Sequence, residues 1–256
     1  MPKKGKSGCI LSTSTASSSS SGSGKRSLAI LPPVGSGCKP KGWAKSPSAE
    51  MEVTHYEGKS LLLAVTSFLF PHECRAFIWW GESCGFEECD FPSTRETAHR
   101  KQGRFSFEDT DSFISGAIFS RVLPFLPPVI DGAQPFSCSR NIRMYKYQTG
   151  DSFGRHIDES NQDIETGAVS KLTLLLYLNG GFEEEEAAEE EEGGVVLVGG
   201  ETKFYKTLIT SEPLVTIAPV RGTLLLHGHG HRCLIHEAAT VIRGCKYVLR
   251  TDVMYR

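Results

Sequence analysis

Apolar positions along the chain change their period near residue 140. Before that point the spacing predicts a short strand over Ser60 to Thr66 and then two helices. Pro71 stands where a first-turn proline belongs. Cys74, Phe77 and Ile78 recur at helical spacing, so the first helix is expected over Pro71 to Cys84. The second is expected over Asp111 to Leu123, with Asp111 or Thr110 as cap and Phe113, Ala117, Ile118 and Val122 on one face. Pro124, Pro127 and Pro128 end it. From 140 onward, short β-type runs alternate with Gly and polar turns: Asn141 to Gln148, Lys171 to Leu178, Gly200 to Tyr205, Leu214 to Ile217, Gly222 to His227 and Lys246 to Tyr255. Many short strands with turn signals indicate a sandwich or barrel. The expected fold is mainly β with flanking helices, an α+β arrangement in which helices pack on an antiparallel barrel.

Composition divides the 256 residues further. Residues 1–48 are Ser- and Gly-rich, with eight basic and no acidic residues. Such a segment buries too little apolar surface to offset chain entropy and reads as a disordered tail. Its composition also fits an organellar transit peptide, and Lys3, Lys4 and Lys6 fit a nuclear address. Residues 49–138 form a helical support with the first strands, and 139–256 the core. From 49 onward, 20 basic residues face 30 acidic ones, and eight of the Glu lie in 183–192. That balance argues against an electrostatic nucleic-acid binder. The acidic run reads as a solvated loop between strands, with a Ca²⁺ site as the sharper alternative. No apolar run reaches the ~20 residues of a membrane helix, so no membrane partner is expected. Eight scattered cysteines with no CxxC pair suggest reduced thiols in a cytoplasmic or nuclear setting. Cys84 and Cys89 have no second pair to complete a metal site.

The chemistry concentrates in His156-x-Asp158, with His236 following 78 residues after Asp158. On a strand, i and i+2 point to one face, and a third ligand from a distant strand completes a triangular donor set of two imidazoles and one carboxylate. Such a facial triad leaves positions open and is characteristic of non-haem Fe(II) oxygenases. His227, His229 and His231 are rivals for the third place and form a cluster able to bind metal themselves.

The surrounding motifs make the pattern specific. Tyr147-Gln-Thr-Gly150-Asp-Ser-Phe153-Gly-Arg-His156-Ile-Asp158 resembles the Tyr-x-x-Gly-(Gln/Asp)-x-Phe/Tyr-x-x-His-x-Asp stretch of the prolyl 4-hydroxylase-like 2-oxoglutarate/Fe(II) oxygenases. Gly199-Gly200-Glu201-Thr202-Lys203-Phe204 is similar to their Gly-Gly-x-Thr-x-Phe strand. Pro219-x-x-Gly222 then leads through Leu224 to Leu226 to His236-Glu237 and to Lys246, ten residues on. The resemblance covers roughly residues 60 to 256. It implies a double-stranded β-helix, or jelly-roll, barrel. It also implies Fe(II) held by His156, Asp158 and His236, 2-oxoglutarate and O₂ as co-substrates, and ascorbate as a further candidate reductant. Lys246 would pair with the distal carboxylate of 2-oxoglutarate and Tyr147 would donate its hydroxyl to it. Arg250, on the same strand face as Lys246, is a second candidate for that carboxylate; it can equally contact substrate or pair with Asp252.

The implied reaction is hydroxylation of a protein or peptide side chain, prolyl among the candidates. Asn141 to Tyr145 with Gly150 partly resembles nucleic-acid dealkylating dioxygenases, an alternative within the same chemistry. A catalytically inactive binding module is the alternative from another class.

Overall fold

The computed structural model describes residues 53–55, 61–94, 97–181 and 196–256. The tail 1–48 and the acidic run 183–192 lie outside the described residues. Helix α1 spans Pro71–Cys84 and α2 spans Phe113–Val122. The strands are β1 Val53–His55, β2 Leu62–Val65, β3 Glu87–Phe91, β4 Arg100–Glu108, β5 Pro135–Cys138, β6 Asn141–Gln148 and β7 Ser152–His156. After these come β8 Val169–Tyr177, β9 Val198–Gly199, β10 Thr202–Tyr205, β11 Val215–Ile217, β12 Leu224–Gly228, β13 Ile235–Ala238, β14 Val241–Arg243 and β15 Cys245–Tyr255.

Thirteen strands form one antiparallel, strongly curled sheet in the order β1-β2-β12-β8-β15-β6-β4-β7-β13-β10-β11, with β3 added to β4 and β5 to β15. This is the helix-flanked, mainly β, jelly-roll-like architecture expected from the sequence. Strands from before residue 139 enter the same sheet. β4 lies between β6 and β7, and β2 lies on β12. The pleat separates two faces. On β8, Leu172, Leu174 and Leu176 pack into the main core with Phe77 of α1 and Ile114, Ile118 and Val122 of α2. The alternate residues Thr173, Leu175 and Tyr177 face the sheet interior and line a cavity there.

α1 starts and ends where the sequence predicts. Pro71 occupies the first turn, and the Glu73 carboxylate accepts the Phe70 N–H at 2.9 Å, which satisfies an otherwise orphan donor. Gly81 lets the helix lie against β6, because a Cβ there would come within 2.8 Å of Met144 Cε. α2 is shorter than expected, and its cap is Ser112 rather than Asp111 or Thr110. The Asp109 carboxylate instead reaches the first turn and accepts from both the N–H and the hydroxyl of Ser115 at 2.7 Å. β3, β4, β5 and β7 have no counterpart among the expected elements. The expected strand Gly200 to Tyr205 starts later, at Thr202, as β10; Gly199 and Gly200, with φ values of +81° and +73°, separate it from the short β9 before it.

Candidate metal centre

β7 and β13 pair so that His156 stands opposite His236, with a register irregularity between His236 and Ala238. His156 is the last residue of β7, and Asp158 lies just past the strand end. The two residues therefore do not share a regular strand face, contrary to the expectation from their i, i+2 spacing. Asp158 is held by the turn before β13 instead. Its N–H points to Cys233 Sγ at 3.3 Å, and its carbonyl accepts the Gly230 N–H at 2.8 Å.

These supports bring the three donors together. His156 Nε2 lies 3.8 Å from Asp158 Oδ1, and His236 Nε2 lies 3.7 Å from Asp158 Oδ2. One ligand atom from each of the three residues lies within 4.8 Å of the other two. Both imidazoles turn the same nitrogen outward: His156 Nδ1 meets Gly154 O at 2.8 Å and His236 Nδ1 meets Leu234 O at 2.9 Å. A carbonyl accepts only, so each Nδ1 carries the proton and each Nε2 presents a lone pair to the centre. Burial, reinforced by the neighbouring His236, pushes His156 down to about 3. Burial likewise lowers His236. Both are neutral at physiological pH, the state a ligating imidazole needs. The Phe153 ring stacks on His156 at 3.7 Å between centroids, and the Arg100 guanidinium lies 4.0 Å over Phe153.

Asp158 is the electrostatic focus. Burial works to raise its pKa, but Arg250 first, then His227 and His236, outweigh it and hold the carboxyl well below the usual range. Arg250 Nη2 lies 3.1 Å from Oδ2, and the Thr173 hydroxyl donates to the same oxygen at 2.6 Å. Behind Thr173 sits His229, with Nε2 2.7 Å from the Thr173 hydroxyl and Nδ1 3.2 Å from Ser170 Oγ. His229 is thus engaged in a hydrogen-bonded chain, and His231 is exposed. His227 is fully buried, and its Nε2 has no hydrogen-bond partner. Thr173 and Arg100 escape the sequence reading, and Phe153 is legible there only as a motif position, without its stacking on His156. A threonine set between leucines in β8 is the only signal for Thr173.

Lys246 lies at another part of the same cavity, whose walls include Tyr147, Leu175, Tyr177 and Val248. It pairs across β6 and β15 with Tyr147, and its side chain is 2% exposed. Its Nζ donates to Gly200 O at 2.6 Å and lies 5.3 Å over the rings of both Tyr147 and Tyr177. Among the described residues it has no ion-pair partner. Burial pushes it down to about 7 against a weak opposing pull from Glu201. Gly200 makes room for it, since a Cβ there would sit 3.1 Å from Lys246 Cδ. Tyr147 is buried, and burial raises its pKa, so it stays a protonated hydroxyl. Arg250 lies against Asp158 and Asp252, at 3.1 and 3.6 Å, four residues along the strand from Lys246.

The donor set suits a hard or borderline divalent cation such as Fe(II). Two neutral imidazole nitrogens and one ionised carboxylate converge, and each is fixed by a partner behind it. No family model matches the chain, and no curated protein matches it. Solved structures similar to it include a collagen prolyl hydroxylase of Paramecium Bursaria Chlorella virus-1 in complex with 2-oxoglutarate. That match has a TM-score of 0.48 and 18% identity and covers 75% of this chain and 95% of the other. A prolyl hydroxylase from Trichoplax adhaerens, in complex with a hypoxia inducible factor peptide fragment, has a TM-score of 0.47 at 17% identity, covering 75% and 82%. A Pseudomonas putida prolyl-4-hydroxylase has 0.48 at 17%, covering 76% and 92%. At these identities the functional reading rests on the residues of the site itself.

Proposed function

We propose that this chain is a 2-oxoglutarate- and Fe(II)-dependent dioxygenase that hydroxylates a protein or peptide side chain, with proline among the candidate targets. The observation that carries the reading is Lys246. A buried lysine amine without an ion-pair partner among the described residues lines the same cavity as a buried two-histidine, one-carboxylate set. Desolvating an ammonium group is expensive unless an anion meets it. An elongated dianion with one carboxylate at Lys246 and its keto-acid end toward the triad satisfies both ends at once.

In this reading His156, Asp158 and His236 hold Fe(II), and Arg250 and Thr173 keep Asp158 ionised and oriented. Lys246 and the Tyr147 hydroxyl bind the far carboxylate of 2-oxoglutarate. Leu175, Tyr177 and Val248 supply a wall that limits water. Bound iron, with O₂ and 2-oxoglutarate, supplies the oxidation in which 2-oxoglutarate loses CO₂ to become succinate and one oxygen atom enters a C–H bond. The protein fixes the geometry of that chemistry and admits the substrate at the open side of the cavity. Beside that site, Glu237 follows the ligand His236, accepts the Tyr205 hydroxyl at 2.6 Å and pairs with Arg155 at 3.4 Å. Arg155 also donates to the carbonyls of Leu208 and Thr210, which ties the 206–213 segment to the strand carrying His156.

The test is anaerobic Fe(II) and 2-oxoglutarate binding followed by oxygenation with candidate peptides. Stoichiometric Fe(II), saturable 2-oxoglutarate binding and succinate formation are expected. A protein that binds Fe(II) but not 2-oxoglutarate would overturn the reading.

A further inference from the structure

Beside the triad lies a second donor set, made by His227, Cys233 and His236. Cys233 Sγ is 3.9 Å from His227 Nδ1 and 3.8 Å from His236 Nδ1. Sulfur and nitrogen ligands on one tetrahedral cation, at roughly 2.3 and 2.0 Å from it, stand about 3.6 Å apart. Cys233 Sγ holds nearly that spacing to each imidazole, and the three donor atoms lie within 4.8 Å of one another. His227 is oriented as a ligand would be. It is buried, and with Nδ1 toward the thiol, its unpartnered Nε2 faces Asp158 Oδ2 at 3.6 Å. An imidazole that ligates through one nitrogen and aims the other N–H at a carboxylate is the usual support of a protein-bound metal. Cys233 is partly exposed, which leaves an entry path.

We infer that His227, Cys233 and His236 form a binding site for a thiophilic divalent cation of the zinc class, separate from the iron triad but sharing His236. A cation entering it replaces the thiol proton, which leaves to solvent. It takes His236 Nδ1 from Leu234 O, and the Nδ1 proton exchanges to Nε2, which faces Asp158 Oδ2 at 3.7 Å. A neutral imidazole has one lone pair, so His236 serves one metal at a time. Zinc in the second site therefore excludes iron from the first. The site itself stands on the three donors. Only the exclusion rests on the reading of His236 as an iron ligand.

Cadmium titration of the full chain tests this, because cadmium–thiolate bonding gives an ultraviolet charge-transfer absorption that iron ligation by His and Asp lacks. One equivalent of Cd²⁺ should produce the band. Cys233→Ser should abolish it and lower Cd²⁺ affinity at least 100-fold, with the melting transition showing the fold intact. His156→Ala, which lies outside this set, should keep the band while Fe(II) binding is lost. His227→Gln should weaken Cd²⁺ binding at least tenfold. Absence of the band, or its persistence in Cys233→Ser, overturns the site. One equivalent each of iron and cadmium bound together, with the band present, overturns the exclusion and with it the role of His236 in the triad.

Discussion

Arg250 Nη2 stands 3.1 Å from Asp158 Oδ2, so the cation that the strand pattern offered to a bound carboxylate faces the carboxylate of the candidate metal centre. Asp252 lies on its other side at 3.6 Å. This pairing gives Arg250 a distinct expected phenotype. Arg250→Ala removes the largest influence holding Asp158 ionised. Fe(II) affinity should fall about 10- to 100-fold, the usual cost of losing a partner behind a metal ligand. Arg250→Lys should recover part of it. Anaerobic titration with Fe(II) or Co(II) measures both, and an unchanged affinity in Arg250→Ala would mean that Asp158 needs no cation behind it.

The sequence shows where Arg250 lies and offers Asp252 as a partner, but it does not show the contact with Asp158. Its position on the Lys246 face follows from the two-residue period of β15. Its partner Asp158 is 92 residues away and sits in a loop that no periodicity describes. The same distinction holds across the fold. β6 is legible to the residue because Ile142 and Met144 alternate with polar neighbours toward the core. β3 and β4 are not, because Glu87–Phe91 and Arg100–Glu108 are mostly polar. Their strand character comes from pairing with each other and with β6, which is a tertiary cause. The candidate ligands are legible as ordered motifs. Thr173 is not, and Phe153 is legible as a motif position but not as the ring stacked on His156, since a hydroxyl or ring acquires its role only from what the fold places against it.

Arg121 and Glu73 join the two helices through a bidentate pair at 2.9 and 3.0 Å, with Glu73 almost fully buried. Arg121→Ala strands a buried carboxylate that also accepts the Phe70 N–H. Equilibrium unfolding in urea should show a loss of about 3–5 kcal/mol. A loss under about 1 kcal/mol would mean that the carboxylate finds water.

Gly200 combines a φ of +73° with a close approach to Lys246. Gly200→Ala should cost about 1–2 kcal/mol from the left-handed backbone alone. It should also displace the Lys246 side chain, so that 2-oxoglutarate affinity falls more than Fe(II) affinity does. Isothermal titration of each in turn separates the effects. Equal losses for both would place the damage in the fold rather than at Lys246.

Lys246 is the residue on which the co-substrate reading can be tested most directly, through its proton. Its pKa falls from the ordinary 10.5 to about 7 in the folded chain because it is buried. The sign follows from linkage. Between these values the unfolded chain binds the proton more than the folded chain does, so stability without ligand should rise from pH 7 toward pH 10.5. Lys246→Met should flatten that rise. Binding reverses the preference, because a carboxylate against the ammonium group favours its charged form. At pH 8 the free protein holds Lys246 mostly neutral, so 2-oxoglutarate should bind with uptake of approaching one proton. Its affinity should decline by up to about tenfold per pH unit above 7. Calorimetry in buffers of different ionisation enthalpy measures the uptake. Lys246→Ala should lose about two to three orders of magnitude in 2-oxoglutarate affinity, the scale of an unpaired buried charge, while Fe(II) binding survives. Lys246→Arg should bind without proton uptake, since arginine is charged throughout. If 2-oxoglutarate binds the natural chain at pH 8 with no proton taken up, Lys246 is not the anchor of its carboxylate.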